Sequence, residues 1–480
     1  MPTRSGYEVG RNITPNSGFS IHLAICQYRA IQDYLIDKKN WELNKTKLLA
    51  EAGLGAFENG EQYLDELSIK LNSKYNSVNQ NIIEENNQYF SLNNKGKPLV
   101  KTPAIDQEGL EFIGDTLSAQ GYTSILDVLR STDKATGFSK LFTHFSNKHT
   151  KLNPTADTIF AGIMGKGCNM GVSKMASISA GVKEHILRNT VNWCFDLKNV
   201  QQANDIIIKT IHSLDLANNY LKNANVIHSS SDGRKVNVSV ESLHASYSFK
   251  YFGKDKGVTM YTFTDERQAL FYSTVFTSSD REAPYVIDGL MHNPMPQEQI
   301  HSTDTHGFSE QIFAATHFIG VAFAPRIKDL GKQRIYSFSA KNIYSKQGFA
   351  ILPSRTISRQ TIHKRWDDIL RFMATIKLQH TPASQLFKRL SSYAKAHPLY
   401  KAIKEFGRII KSLYILTYYD DLELRQQIQK QLNRIELSNK FAHAVFFDND
   451  QSFQEPELEQ QQISTACQIL LQNAIVLWNY

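Results

Sequence analysis

Cysteine is scarce in this chain: there are four in 480 residues, Cys26, Cys168, Cys194 and Cys467, none in a CxxC pair and none beside a histidine at ligand spacing. That excludes a disulfide framework and a zinc ribbon. No apolar run approaches the roughly 18 residues of a membrane span, and the amino end holds no basic stretch followed by an apolar one. The sequence therefore reads as soluble, reducing and cytoplasmic. With 25 glycines and 13 prolines it is neither collagenous nor low in complexity, and no internal repeat is visible. At roughly 150 residues per domain, its length suggests about three domains with sizeable cores.

The composition is 41% hydrophobic and 21% charged, which is ordinary for a globular protein, so charge placement is the more informative signal. The formal net charge is +8. Residues 360–440 hold 15 Lys and Arg against 7 Asp and Glu, a surplus equal to that of the whole chain. After Lys440 there is no base, and Asp448, Asp450, Glu455, Glu457 and Glu459 follow. A basic excess suits a polyanionic partner, although many such runs are only solvated helical faces.

Apolar residues recur at helical spacing from Ser20 to about Ile69, as in Ile21, Ile25, Ala30, Tyr34 and Leu35. The Asn-rich stretch 72–98 then reads as a linker or irregular excursion. Helical periodicity returns near Glu108 and lasts to about Asn223. From Val226 the chain becomes a series of short β-rich runs, VIHSSSDGRKVNVSV, GVTMYTFT, ALFYSTVFT, YVIDGLM and FIGVAFAPRI, with one helical stretch from Phe308 to Thr316. After about Thr361 amphipathic helices continue to Tyr480. The expected architecture is a mixed α/β sheet on a helical scaffold, divided as 1–105, 106–225 and 226–480.

Asp232, in SSSDGRKV, stands where a polar turn is expected to meet a strand, and Asp304, in HSTDTHG, follows an expected strand from Tyr285 to Met291. Strand margins fix the backbone while leaving a side chain open to substrate. Glu436 lies in a helical segment that starts after Asp420 and Asp421. It sits about 80° from the apolar stripe through Ile428, on the shoulder of the helix, flanked by Asn433 and Lys440. Taken singly, the three acids are an ordinary turn former, cap and solvated residue. Gathered together, they would repel one another unless cations neutralised them. Mg²⁺ and Mn²⁺ take such oxygen ligands, and two ions roughly 4 Å apart can clamp the attacking and leaving oxygens of a phosphoryl displacement.

The words GFSKLFTHFSN, MGKGCNMGVSKMA, SSSDGRKV, EAPYVIDGLMHN, HSTDTHGFSEQIFAATHFIGVAFAPRIKDL, QKQLNRIELSNKFAHAVFF and AIVLWN, in this order, resemble the transposases of the replicative class two (Tn-three type) bacterial transposons. The resemblance covers about Ile21 to Trp478 and is strongest from Gly137 onward. It implies a ribonuclease H-like fold in 226–480, with a helical insertion at about 340–420 before the catalytic glutamate. It also implies a DDE set carried by Asp232, Asp304 and Glu436, with two Mg²⁺ or Mn²⁺ ions. The implied activity is nicking at transposon ends, followed by strand transfer from the 3′-hydroxyl. The implied partners are double-stranded DNA, both transposon ends and target, and a second copy in a homodimer, within the bacterial cytoplasm at the nucleoid. Where family members carry a small glycine before the glutamate, this chain has Ile435. Relatives are longer at both ends, so the chain is expected to be a fragment containing the catalytic core. The alternatives are a noncatalytic DNA-binding or interaction fragment, and a metal-dependent nuclease without strand transfer.

Arg234 and Lys235, just past Asp232, are candidates to steer phosphate, as are Arg326, Arg355 and Arg365. Asp288, inside an apolar run, needs a buried partner and is read mainly as structural. His301 and His306 bracket Asp304 and are read as supporting residues more than proton carriers. Tyr261, Tyr272, Tyr336 and Tyr344 are read as core residues rather than platforms for bases.

Overall fold

Asp37 accepts hydrogen bonds from the backbone N–H groups of Lys39 and Asn40 and so starts α1 (Lys38–Glu51), the first α-helix among the described residues. The computed structural model describes residues 30–94, 96–104, 123–144, 154–292, 298–393 and 397–480. Ile21 and Ile25 lie outside these residues, as do Cys26 and Glu108.

The next helix, α2 (Gly60–Ile83), corrects the reading of the Asn-rich stretch as a linker: residues 72–83 are its second half. Leu64, Leu67, Leu71, Tyr75 and Val78 recur every three or four residues and are buried, which supplies the apolar stripe that asparagine content concealed. Asn79 itself is buried. Its amide donates to Tyr75 O (2.8 Å) and Ile351 O (3.3 Å), and its oxygen accepts from Ile351 N (2.8 Å). Only beyond Ile83 does the chain leave the helix, for an antiparallel hairpin of β1 (Phe90–Leu92) and β2 (Pro98–Val100).

The main described helices that follow are α3 (Ile125–Thr136), α4 (Ala156–Gly167), α5 (Val172–Ile178), α6 (Glu184–Cys194) and α7 (Leu197–Ser213). The sheet then begins with β3 (Val226–Asn237), β4 (Ser246–Tyr247), β5 (Lys256–Thr264) and β6 (Leu270–Thr277). Next come α8 (Ala283–Met291), β7 (Glu298–Thr303), α9 (Glu310–Ile319) and β8 (Val321–Phe323). In the sheet β3 is central. Antiparallel β5 pairs on one side and parallel β7 on the other, with β8 parallel outside β7, and β4 and β6 both pair antiparallel with β5.

Two expectations fail here. The run from Tyr285 to Met291 belongs to helix α8, not to a strand, and Pro284 in its first turn marks the start. A short apolar run bordered by turn residues fits either state, and here packing decides: Gly289 lets the helix lie against the ring of Phe263 on β5. The SSSDG word is not a turn but part of the continuous strand β3, because the hydroxyls of Ser229 and Ser231 find partners on the neighbouring strands and that of Ser230 finds one on the helix Leu422–Val445.

After β8 the main helices are α10 (Trp366–Lys377), α11 (Ala383–Ser391), α12 (Pro398–Asp420), α13 (Leu422–Val445) and α14 (Leu458–Asn479). Asp421 caps α13 by accepting from Leu424 N at 2.8 Å. Gly407 on α12 allows close approach to the backbone of Glu310 at the start of α9. The amino-terminal segment docks on α10, with Ile36 N donating to Thr375 Oγ1 (3.1 Å) and Arg371 Nε to Ile36 O (2.6 Å). One hydrophobic core therefore runs from Ile31 to Ala474 and joins the first helices, the sheet and the helices after it. A second, smaller core around Val236, Val258, Met260, Phe446 and Phe453 seals the far end of β3 and β5.

Candidate active site

The polar centre of β3 fixes the site. Ser229 and Ser231 point to one face, where each hydroxyl contacts one nitrogen of the His301 ring on β7, at 2.9 Å to Nδ1 and 2.8 Å to Nε2. Burial first, then neighbouring His228, push the His301 pKa down to about 3, so the ring is a neutral cross-strand tie and not a proton carrier at physiological pH. Ser230 points to the other face, where its hydroxyl donates to Gln431 O of α13 (3.2 Å). Asp232, two residues on, shares that face.

The parallel register of β3 and β7 ends with Ser230 opposite Ser302 and Ser231 opposite Thr303. Asp304 is thus the first residue past the pairing, next to Asp232. Gly307 N donates to its Oδ1 (3.1 Å) as the chain turns after β7. Asp232 is half-buried, and Asn439 Nδ2 of α13 donates to its Oδ2 at 2.9 Å. The Asn439 oxygen accepts in turn from Thr262 Oγ1 (3.3 Å) on β5. The Asp232 pKa is pushed up to about 6, first by burial, against the bonds from Gly233 and Asn439, with the charges of Asp304 and Glu282 adding to the rise.

Glu436 lies on the same helix, three residues before Asn439 and on the exposed shoulder next to buried Ile435. The structure brings Asp232 and Asp304 together and leaves Glu436 at the rim. Among the described residues no three His, Cys, Asp or Glu side chains are gathered closely enough to hold one metal ion. The Asp232–Asp304 pair nevertheless suits a hard divalent cation, since two neighbouring carboxylates raise the cost of ionisation and an oxygen-seeking ion relieves it.

Two neighbours were not anticipated. Glu282, just before α8, comes over the opposite face: a Cβ on Gly233 would meet Glu282 Oε1 at 2.6 Å, so the glycine leaves the carboxylate room to lie against the strand. Its word, EAPYVIDGLMHN, was visible, but an acid preceding an apolar run carries no signal of its own. Asn439 falls in the Glu436 word and gave no signal either, because its role depends on the α13 crossing.

The candidate phosphate-binding bases are largely engaged within the protein. Lys235 Nζ donates to Thr259 Oγ1 (2.8 Å) and Glu282 Oε1 (3.0 Å). Arg234 is half-buried, contacts Gln468 Oε1 at 3.3 Å, and has its pKa lowered to about 10 by burial. Arg355 forks onto Glu405 (3.0 and 2.8 Å), and Arg365 meets Asp368 at 3.1 Å, both from exposed positions. Arg326 follows β8, its backbone N bonded to Thr303 O at 2.9 Å, one residue before Asp304. Within the basic segment, Arg371, Lys411 and Arg425 are buried, so part of the surplus is structural, while Lys364, Lys401, Lys430 and Lys440 are exposed.

Asp288 is held at the α8–α11 seam, accepting from Ser384 N at 3.2 Å, and burial raises its pKa. The side chain of His306 lies outside the described residues. Tyr261, Tyr336 and Tyr344 are buried as expected, and Tyr272 partly so.

A family model described as the Tn3 transposase DDE domain matches residues 127–480. The transposase for transposon Tn1546 of Enterococcus faecium is 31% identical over 458 residues, covering 94% of this chain and 45% of that protein. The transposase for transposon Tn2501 of Escherichia coli is 29% identical over 455 residues, with the same 94% and 45% coverage. The transposase for transposon Tn501 of Pseudomonas aeruginosa is 28% identical over 463 residues, again covering 94% and 45%. The chain spans about half the length of these curated relatives.

Proposed function

Because this chain belongs to the Tn3 transposase family through its DDE domain, we propose that it carries out the DNA-cutting and strand-joining chemistry of replicative transposition. Asp232, Asp304 and Glu436 are the catalytic acids of this reading. The observation that carries it is the placement of Asp232 and Asp304 side by side at the end of the β3–β7 pairing, with the Asp232 pKa lifted to about 6 first by burial and further by the charges of Asp304 and Glu282. A noncatalytic DNA-binding fragment has no use for such a costly arrangement.

An antiparallel meander of three strands, extended by two parallel ones with acids on neighbouring strands, supports the ribonuclease H-like assignment for 226–480. The helices between β8 and α13 support an insertion at about 340–420 within that fold. The described parts of 1–105 and 106–225 are mainly helical and would brace it.

Asp232 and Asp304 would hold the divalent ions, Mg²⁺ or Mn²⁺, with Glu436 as the third ligand. Bound as a pair, such ions supply the charge that favours attack by water, and then by a 3′-hydroxyl, on a DNA phosphodiester. Asn439 keeps the Asp232 carboxylate oriented, and the His301 tie holds β7 in register so that Asp304 stays adjacent. Arg326 and the exposed lysines of the basic segment would grip the duplex backbone, both transposon end and target. A homodimer brings two ends together. No helix among the described residues is long and apolar enough to cross a membrane, and we place the protein with its substrate at the bacterial nucleoid. The test is incubation with transposon-end duplexes, with and without Mn²⁺, scored for 3′-ended nicks and joined strands.

A further inference from the structure

Between β3 and β5 the chain presents a row of large apolar side chains to solvent: Leu243 is 73% exposed, Tyr247 68%, Phe249 86% and Tyr251 48%. The segment is not loosely held. Phe252 is buried under Gly257, where any Cβ would collide with its ring. The β4 residues Ser246 and Tyr247 pair with Gly257 and Lys256, and Ser246 Oγ bonds Ser278 Oγ at 2.7 Å and accepts from Ser279 N at 3.1 Å. The rings are thus displayed by a fixed backbone.

Cations stand over them. Lys250 Nζ is 4.7 Å from the Tyr251 ring centre, Lys235 Nζ is 5.4 Å from the same ring, and Lys256 Nζ is 5.0 Å from that of Tyr247. Tyr251 also lines a cavity of about 480 Å³ shared with Lys235. Tyr251 thus opens into a space whose lining reaches Glu282 and Thr305, the residue that follows Asp304.

We propose that Tyr247, Phe249 and Tyr251 form a stacking platform for unpaired bases of the DNA strand beside the bond being cut, with exposed Lys250 meeting its phosphates. Every base has an apolar face that stacks on an aromatic ring, and the phosphates on either side require positive charge, so rings interleaved with lysines match a single strand better than a paired duplex. A second copy of this chain would need a complementary apolar face instead of a lysine-lined one. The inference rests on the transposase reading and names where the strand lies once it leaves the helix.

The experiment uses the 480-residue chain and metal-free transposon-end duplexes carrying 2-aminopurine, unpaired, at successive positions flanking the cleavage point. The wild type should quench emission at one or two positions and prefer the unpaired duplex to the fully paired one. Phe249→Ala and Tyr251→Ala should each lose that quenching and weaken the unpaired complex about tenfold, while Phe249→Trp should retain both. Alanine variants that quench and bind like the wild type overturn the platform and leave the transposase reading standing, provided Mn²⁺-dependent nicking persists. A wild type that binds neither duplex defeats both. Sedimentation in which Phe249→Ala abolishes self-association without altering quenching assigns the patch to a second copy, which also overturns the proposal.

Discussion

Asp232 and Asp304 stand next to each other on neighbouring parallel strands, one position beyond the last paired residues, Ser231 and Thr303. Their proximity is unfavourable in the isolated protein, and that cost makes the pair measurable.

The first prediction concerns pH. An ordinary aspartate ionises near 3.8, whereas Asp232 does so at about 6 because of burial first and the Asp304 and Glu282 charges next. Between those values the folded state keeps a proton that the unfolded chain has lost. Stability of the metal-free protein should therefore fall as pH rises from about 4 to about 6 and stay lower above, by roughly 2–3 kcal/mol. Asp232→Asn, which still accepts from Asn439, should remove this dependence and be the more stable protein at pH 7.5 in EDTA. Urea denaturation across that range checks it, and superimposable profiles for the two proteins would show that Asp232 is not a strained acid.

The bond from Asn439 to Asp232 should matter for metal more than for folding. Removing a residue that orients a metal ligand typically costs 10- to 100-fold in affinity. Asn439→Ala should weaken Mn²⁺ binding by about that factor in a calorimetric titration, with metal-free DNA binding unchanged.

Gly407 sets the spacing of α12 against α9, since a Cβ there would run into the backbone oxygen of Glu310. Gly407→Ala should destabilise the protein by about 2–3 kcal/mol, as overpacking does, and shift the insertion against the site. A stability within about 0.5 kcal/mol of wild type would mean that the helices are not in close contact.

DNA binding should weaken steeply with salt, because the exposed lysines of the basic segment displace counterions from phosphates. A log–log slope steeper than about −3 is expected for a transposon end and for an unrelated duplex alike. Lys440→Ala should flatten that slope by about one unit, whereas Arg365→Ala, paired with Asp368, should flatten it less.

Four of the five β-rich runs, the helix after Asp304 and the Asp421 cap were legible in the sequence, because periodicity, β-branched content and capping chemistry are local. The Asn-rich half of α2 was not: composition argued for a loop, and only the distant Ile351 backbone shows why Asn79 is buried. Tyr285 to Met291 failed for a similar reason, since the Phe263 ring that selects the helix is remote in sequence. The placement of the two aspartates depended on parallel register, and the roles of Asn439 and Glu282 on chain crossings, none of which a linear reading contains. Counting charges likewise could not tell buried Arg371 and Arg425 from lysines that face solvent.

The most direct test of the account is Mn²⁺-dependent nicking of a transposon-end duplex by wild type, Asp304→Asn and Glu436→Gln, each first shown to be folded and to bind the DNA without metal. The account predicts that the wild type nicks and that both variants bind as tightly yet fall by at least about 100-fold in rate, as expected when a metal ligand is lost. Wild-type nicking that Asp304→Asn retains in full would contradict it.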